Sequence, residues 1–141
     1  MHRVRVTGAR PDFRVFIGLL YSDLHNVDTD GDSYVVHTRA WTKLYLRDRE
    51  GGDPFVWIGP DAEAGYFEIE SASARLEQLA ALYLHEYCGD RLEANGRALS
   101  ADEIAALAGR YARELERGRA SIWHQSSDAL PYPNQRLGRD G

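Results

Sequence analysis

The chain predicts an α+β domain: an antiparallel meander sheet of about four to six strands with two principal helices packed on it. Three observations carry that reading. Short aromatic and β-branched runs, separated by polar turns rich in Gly, Pro and Asp, fill the first half of the chain. One strongly apolar segment, Leu76–Tyr87, has helical rather than alternating spacing. A capping-box pattern at Ser100–Glu103 opens a second periodic stretch. With 141 residues, 43% of them apolar and 28% charged, the chain is one ordinary globular domain, large enough to bury a core without disulfides or metal.

The organising unit is Tyr66–Gly89. Tyr66 to Glu70 alternate, with Phe67 and Ile69 on one face of a strand and Glu68 and Glu70 on the other beside Tyr66. Ser71 and Ser73 supply side-chain oxygens for the unpaired N–H groups of a new helix. Leu76, Leu79, Ala80, Tyr83 and Tyr87 form one stripe, which Leu82 and Leu84 widen, so this helix is expected to be covered on more than one side. Gly89 reads as its left-handed C-terminal cap.

The segment HRVRVT at 2–7 alternates and reads as a first strand. Pro11 and Asp12 stand before Phe13, Phe16, Ile17, Leu20 and Leu24, which recur with helical spacing. Asp28, Asp30 and Asp32 match the first three liganding positions of an EF-hand loop. The glycine position then holds Ser33 and the bidentate-glutamate position holds Arg39, so a turn is expected there rather than a calcium site. Tyr34 to Arg47 reads as one long strand, or two with a bend near Arg39–Ala40. Pro54–Ile58 gives another, and Gly59-Pro60-Asp61 turns the chain back toward Tyr66. Trp41 and Trp57 fall on this meander as core anchors or as a surface hot spot, the core being the expected place.

Beyond Gly89, DRLEANGR reads as a connector. Ile104, Leu107, Ala108, Tyr111 and Leu115 are the buried stripe of the second helix, which Gly118 ends. Ala120–Trp123 is a closing strand or an extended segment, so residues 1–124 make up the domain and 125–141 a mostly irregular tail.

Charge is the most informative bulk property. The net charge of −5 argues against nucleic acid as the partner. Four acids between Tyr21 and Ser33, and six more between Glu50 and Ala74, occur with no Lys or Arg among them. Such segments are either solvated surface or an acidic docking face for a basic protein partner. No apolar run reaches the ~18–20 residues of a membrane span, and the start of the chain lacks a signal-peptide core. The single Cys88 fits a reducing, cytoplasmic compartment.

The sequence offers no catalytic or cofactor motif. His85 and Cys88 are three apart on the apolar helix, but no second ligand pair with zinc-like spacing accompanies them, so no metal or cofactor is expected. There is no P-loop, no dinucleotide fingerprint and no nucleophile elbow.

The run Phe67-Glu-Ile-Glu-Ser-Ala-Ser73 followed by Leu76–Tyr87 resembles small immunity proteins of bacterial polymorphic toxin systems. In several of these families a meander ends in an aromatic and acidic strand, a serine turn and a leucine-rich helix. The resemblance spans about Tyr34 to Leu92 and is one of pattern, so it carries over no signature residue. It implies a cytoplasmic, non-catalytic protein that binds and inhibits a toxin or enzyme. The docking residues expected on that reading are Asp28, Asp30, Asp32, Trp57, Asp61, Glu63, Tyr66, Glu68 and Glu70. The alternative is a small enzyme or ligand-binding domain whose pocket is lined by Tyr, Trp and His37 or His124 beside a carboxylate.

Overall fold

Alternate residues along the strands are buried, so one face of the sheet is covered and the other is open. The structure, a computed structural model, describes residues 1–21, 27–32, 35–48 and 54–134. Among these, β1 (His2–Val6), β2 (Val27–Gly31), β3 (Leu44–Asp48), β4 (Val56–Pro60), β5 (Tyr66–Ser71), β6 (Gly89–Ala94) and β7 (Arg97–Ala98) form one sheet. Its order is β2-β3-β4-β5-β1-β6-β7, and every neighbouring pair is antiparallel. The α+β class with an antiparallel sheet is as expected, with one strand more than the upper end of the expected range. β2 through β5 are a meander. The first strand, β1, then inserts between β5 and β6.

Directly opposed residues share a face. Leu44, Ile58, Ile69 and His2 are successive cross-strand partners, and Val4 faces both Phe67 and Leu92. This is the covered face, and its apolar members belong to the single buried core. Of the four described helices, α2 (Ala74–Cys88) packs against β1, β4, β5 and β6, and α1 (Arg14–Leu20), α3 (Ala101–Arg110) and α4 (Ala112–Arg119) pack on α2.

α2 forms where the local signals place it. Ser73 Oγ accepts from Leu76 N at 3.2 Å, and Ser71 Oγ accepts from Ser73 N at 3.1 Å. Leu76, Leu79, Ala80, Leu82, Tyr83 and Leu84 are all buried, between the sheet and the other helices. Full burial of one such leucine contributes about 1.5–3 kcal/mol. Tyr87, counted in the same stripe, is instead 42% exposed. Gly89 is not a left-handed cap: its φ of −110° is extended, and it begins β6. Glycine is needed there for close approach, because a Cβ would lie 2.5 Å from Val4 Cγ1 and 3.0 Å from the His85 Cα.

The connector expected after Gly89 is a hairpin, β6 to β7. Asn95 and Gly96 both have positive φ, 52° and 82°, as a two-residue type I′ turn requires. The second helix is divided at Tyr111 into α3 and α4. Gly118 lies inside α4, where its missing side chain leaves room for Leu19 and Tyr83. Arg117 donates to the carbonyls of Gly18 and Leu19 at 2.6 and 2.9 Å, satisfying acceptors at the end of α1. Leu24, the last member of the α1 stripe, lies outside the described residues.

The Ser100 capping box is complete. Ser100 Oγ accepts from Glu103 N, and Glu103 accepts from Ser100 N, both at 3.1 Å. Arg97 adds two donors to the same carboxylate at 2.9 and 2.7 Å. Arg97 and then the Ser100 backbone N–H hold the Glu103 carboxyl at about 2, against an ordinary glutamate value of 4.5. Because the folded-state value is depressed, this contribution is present above about 4.5 and is lost as pH falls through about 2. An NMR carboxyl titration of Glu103 should show that low midpoint, and Arg97→Ala should raise it toward 4.5.

Three further segments differ from expectation. Asp28 and Asp30 are in β2, not in a turn. The stretch from Val35 to Trp41 is not strand, because its side chains find partners elsewhere. Trp41 Nε1 donates to Pro11 O at 2.8 Å, and Arg39 Nη2 donates to the carbonyls of Trp123, His124 and Ser126. Ile122–Gln125 is a 3₁₀ turn rather than a closing strand. The irregular chain after it is docked: Ser126 is buried, and Pro131 O accepts from Arg14 at 2.7 Å.

Candidate functional site: the open face of the sheet

The open face is built by residues of opposite parity to the core. Two of its cross-strand rows matter here. One runs Asp30, Tyr45, Trp57, Glu70 across β2, β3, β4 and β5. The next runs Gly59, Glu68, Arg3, Glu93 across β4, β5, β1 and β6.

Arg3 organises the second row. It donates to Asp61 at 2.8 Å, to Glu63 at 3.2 Å and to Glu93 at 2.8 Å, and its guanidinium carbon sits 4.3 Å from the centre of the Tyr66 ring. Arg91 completes Glu93 at 2.8 Å, and Arg5 pairs with Asp90 at 2.6 Å. The Glu63 backbone N–H, then Arg3, hold the Asp61 carboxyl below the usual range. Arg3 and then Arg91 do the same for Glu93. The cation-free stretch of sequence is therefore not cation-free in space. β1 brings Arg3 and Arg5 against it.

The expected docking residues thus fall into four places. Asp61, Glu63 and Tyr66 enclose Arg3, with Tyr66 buried beneath it and Glu68 opposite in the ladder. Asp32 holds the β2–β3 connection. Its Oδ1 accepts from Thr42 N and Lys43 N at 2.7 and 2.8 Å, and its Oδ2 accepts from Thr42 Oγ1 at 2.5 Å. The desolvation of this carboxyl is outweighed by those bonds, so it stays below the ordinary aspartate range. The backbone of Asp28 is paired with Arg47 in β2. Only Asp30, Trp57 and Glu70 come together as one row.

Two members of that surface escape sequence reasoning. Tyr45 lies between Asp30 and Trp57, and Phe55, 41% exposed, stacks on Tyr45 at 5.2 Å with the rings 23° apart. The signal for both is the alternation in LYLR and PFVWI, which places Tyr45 opposite in parity to Leu44 and Phe55 to Val56. Trp57 is correspondingly not a core anchor. It is half-buried on the open face, and its ring covers Gly59. Trp41 takes the core position, 1% exposed.

A Cβ at Gly59 would stand 2.3 Å from Trp57 Cζ2. Gly59→Ala is therefore expected to displace the indole outward at a cost of about 1 kcal/mol. Urea denaturation reads the cost, and the indole N–H resonance of Trp57 reads the displacement.

Among the described residues the histidines do not assemble an acid–base site with a nucleophile. His37 Nε2 meets Asp128 at 2.7 Å beside a hollow of about 360 Å³ that Ser126 and Ser127 also line. Ser126 Oγ donates to Asp12 at 2.6 Å, and Ser127 Oγ accepts from Leu130 N at 3.1 Å, so both hydroxyls are engaged elsewhere. His124 pairs with the Tyr83 hydroxyl at 2.7 Å and stacks on Tyr87. Cys88 donates to Leu84 O, and burial pushes its thiol up to about 11. Among the described residues no cluster of His, Cys, Asp and Glu could hold a metal ion, and no helix is long and apolar enough to cross a membrane.

Comparison of the chain with protein-family models, with curated proteins and with solved structures gave no match.

Proposed function

We propose that the chain is a non-catalytic, inhibitory protein of the immunity type, acting in the cytoplasm on a basic toxin or enzyme docked on the open face of the sheet. The observation that carries this reading is the row Asp30–Tyr45–Trp57–Glu70 with Phe55 stacked on it. It is an aromatic strip edged by carboxylates on a face that, among the described residues, no helix covers. Tyr and Trp supply large contact area at low entropic cost, and flanking acids select a cationic partner and speed its arrival. The adjacent Arg3 cluster is a different kind of surface. Its charges are mutually satisfied, and it serves as a rigid floor beside the strip.

The test is a bait experiment at low salt in lysate of the source organism, with wild type and a Trp57→Ala/Glu70→Gln double variant in parallel. The expected result is one stoichiometric protein held by wild type, released by salt, lost from the double variant, and inhibited by wild type in its own assay. Equal retention by both baits, or an activity unaffected by a stoichiometric amount of the chain, contradicts the reading.

A further inference from the structure

We infer that the Trp57 row is an arginine-binding subsite: a guanidinium of the basic protein partner lies on the Trp57 ring with Glu70 and Asp30 as its carboxylate counterparts. This rests on the docking reading above and adds the chemistry of the occupant. The fold itself supplies the template. In the adjacent row, Arg3 lies over the Tyr66 ring at 4.3 Å while its nitrogens reach Asp61, Glu63 and Glu93. That is one aromatic face, several carboxylates and one planar cation, all on the open side of the same sheet. The Trp57 row repeats the aromatic and the carboxylates without a cation of its own.

The spacing suits it. Glu70 directly opposes Trp57 on β5, so their Cβ atoms are about 5 Å apart. Asp30 stands two strands to the other side, about 10 Å away. A guanidinium within about 6 Å of the indole centre reaches Glu70 with one edge, and its stem or a second basic residue runs over Tyr45 toward Asp30. Lys43, just before β3, and Arg47, within it, flank Tyr45 about 7 Å to either side. Neither is ion-paired with Asp30 or Glu70 among the described residues; Asp30 Oδ1 accepts from Gly31 N at 2.7 Å, which leaves its Oδ2 and the Glu70 carboxylate for the guest. The indole N–H of Trp57 likewise has no hydrogen-bond partner among the described residues and can donate to a carbonyl of the docked chain. Trp is the best of the aromatic faces for a cation, and Arg the cation that also forks onto a carboxylate.

The experiment uses the full chain, ¹⁵N-labelled, titrated with N-acetyl-argininamide and separately with N-acetyl-citrullinamide, which keeps the shape without the charge. The Trp57 indole resonance is assigned by its loss in Trp57→Phe. A saturable shift at Trp57 with the arginine probe, none with the citrulline probe and none at buried Trp41 is the expected result. Glu70→Gln should weaken the apparent affinity about three- to fivefold, with the rest of the spectrum unchanged as evidence that the fold is intact. No shift at Trp57, an equal shift with both probes, or a shift untouched by both Glu70→Gln and Asp30→Asn overturns the inference. The outcome is separable from that of the docking reading. A partner that needs Trp57 yet is not displaced by the arginine probe ends this inference alone. An arginine response in a chain that captures and inhibits nothing ends the inhibitor reading alone.

Discussion

Replacing Asp12 with alanine is expected to destabilise the protein by about 3–5 kcal/mol, because it strands a buried arginine. Asp12 is fully buried. Its carboxylate accepts from the Arg14 backbone N–H at 3.0 Å, from Arg14 Nε at 2.9 Å, from Arg14 Nη2 at 2.6 Å and from Ser126 Oγ at 2.6 Å. Arg14 is 7% exposed and lies 4.0 Å over the Trp123 ring, so once Asp12 is gone its charge is left largely buried with no carboxylate beside it. The bond to Arg14 N also opens α1, whose N-cap residue Phe13 makes no side-chain cap of its own. Against a total of roughly 5–15 kcal/mol for a domain, that loss is a large share. Urea denaturation measures it. Two companions separate the mechanisms: Ser126→Ala should cost about 1–2 kcal/mol, the loss of the bonds its hydroxyl gives to Asp12 and accepts from Arg39, and adding Arg14→Met to Asp12→Ala should recover much of the loss by removing the stranded charge. A loss below about 1 kcal/mol for Asp12→Ala would mean that the pair behaves as an exposed one.

The second large effect is at Trp41. Trp41→Ala should cost about 3–5 kcal/mol through the cavity alone. The ring meets Phe16 and Phe67 edge-on at 6.1 and 6.4 Å, and its N–H is the donor to Pro11 O. It joins the sheet to α1, so its removal should loosen both. Trp41→Phe keeps part of the packing but leaves the Pro11 carbonyl unpaired, and an intermediate loss is expected. Thermal and urea midpoints check the order wild type, Phe, Ala. Because Pro11 and Asp12 are adjacent, the Trp41 and Asp12 effects should not add.

What was legible in the sequence is what local physics decides. The strand at Tyr66, the serine caps of α2 and the Ser100 capping box each need only a few neighbouring residues, and each is present. What was not legible depends on partners far along the chain. β2 reads as a turn because three aspartates favour turns. It is a strand because Asp32 captures the Thr42 and Lys43 amides and aligns it on β3. Residues 35–41 have strand-forming composition, yet Arg39 and Trp41 are drawn to carbonyls at 123–126 and 11. The Asn95-Gly96 pair is a different case, since that hairpin signal was local and present in the sequence.

The same distinction explains the site. Alternation placed Glu68, Glu70 and Tyr66 on one face, as found. It could not show that β1 lies beside β5, and therefore that Arg3 neutralises Asp61, Glu63 and Glu93. Nor could it show that β3 sets Tyr45 between Asp30 and Trp57. The proposed docking surface is accordingly smaller and more aromatic than a simple count of acids implies.

A basic partner docked on the proposed Asp30–Trp57–Glu70 row would be drawn in by its carboxylates. The most direct test is the association rate of the captured partner, measured against salt for wild type and for the Asp30→Asn/Glu70→Gln double variant. The wild-type rate should fall steeply with salt, and the double variant should associate more slowly at low salt while converging on wild type at high salt. Superimposable salt curves for the two proteins would contradict that docking.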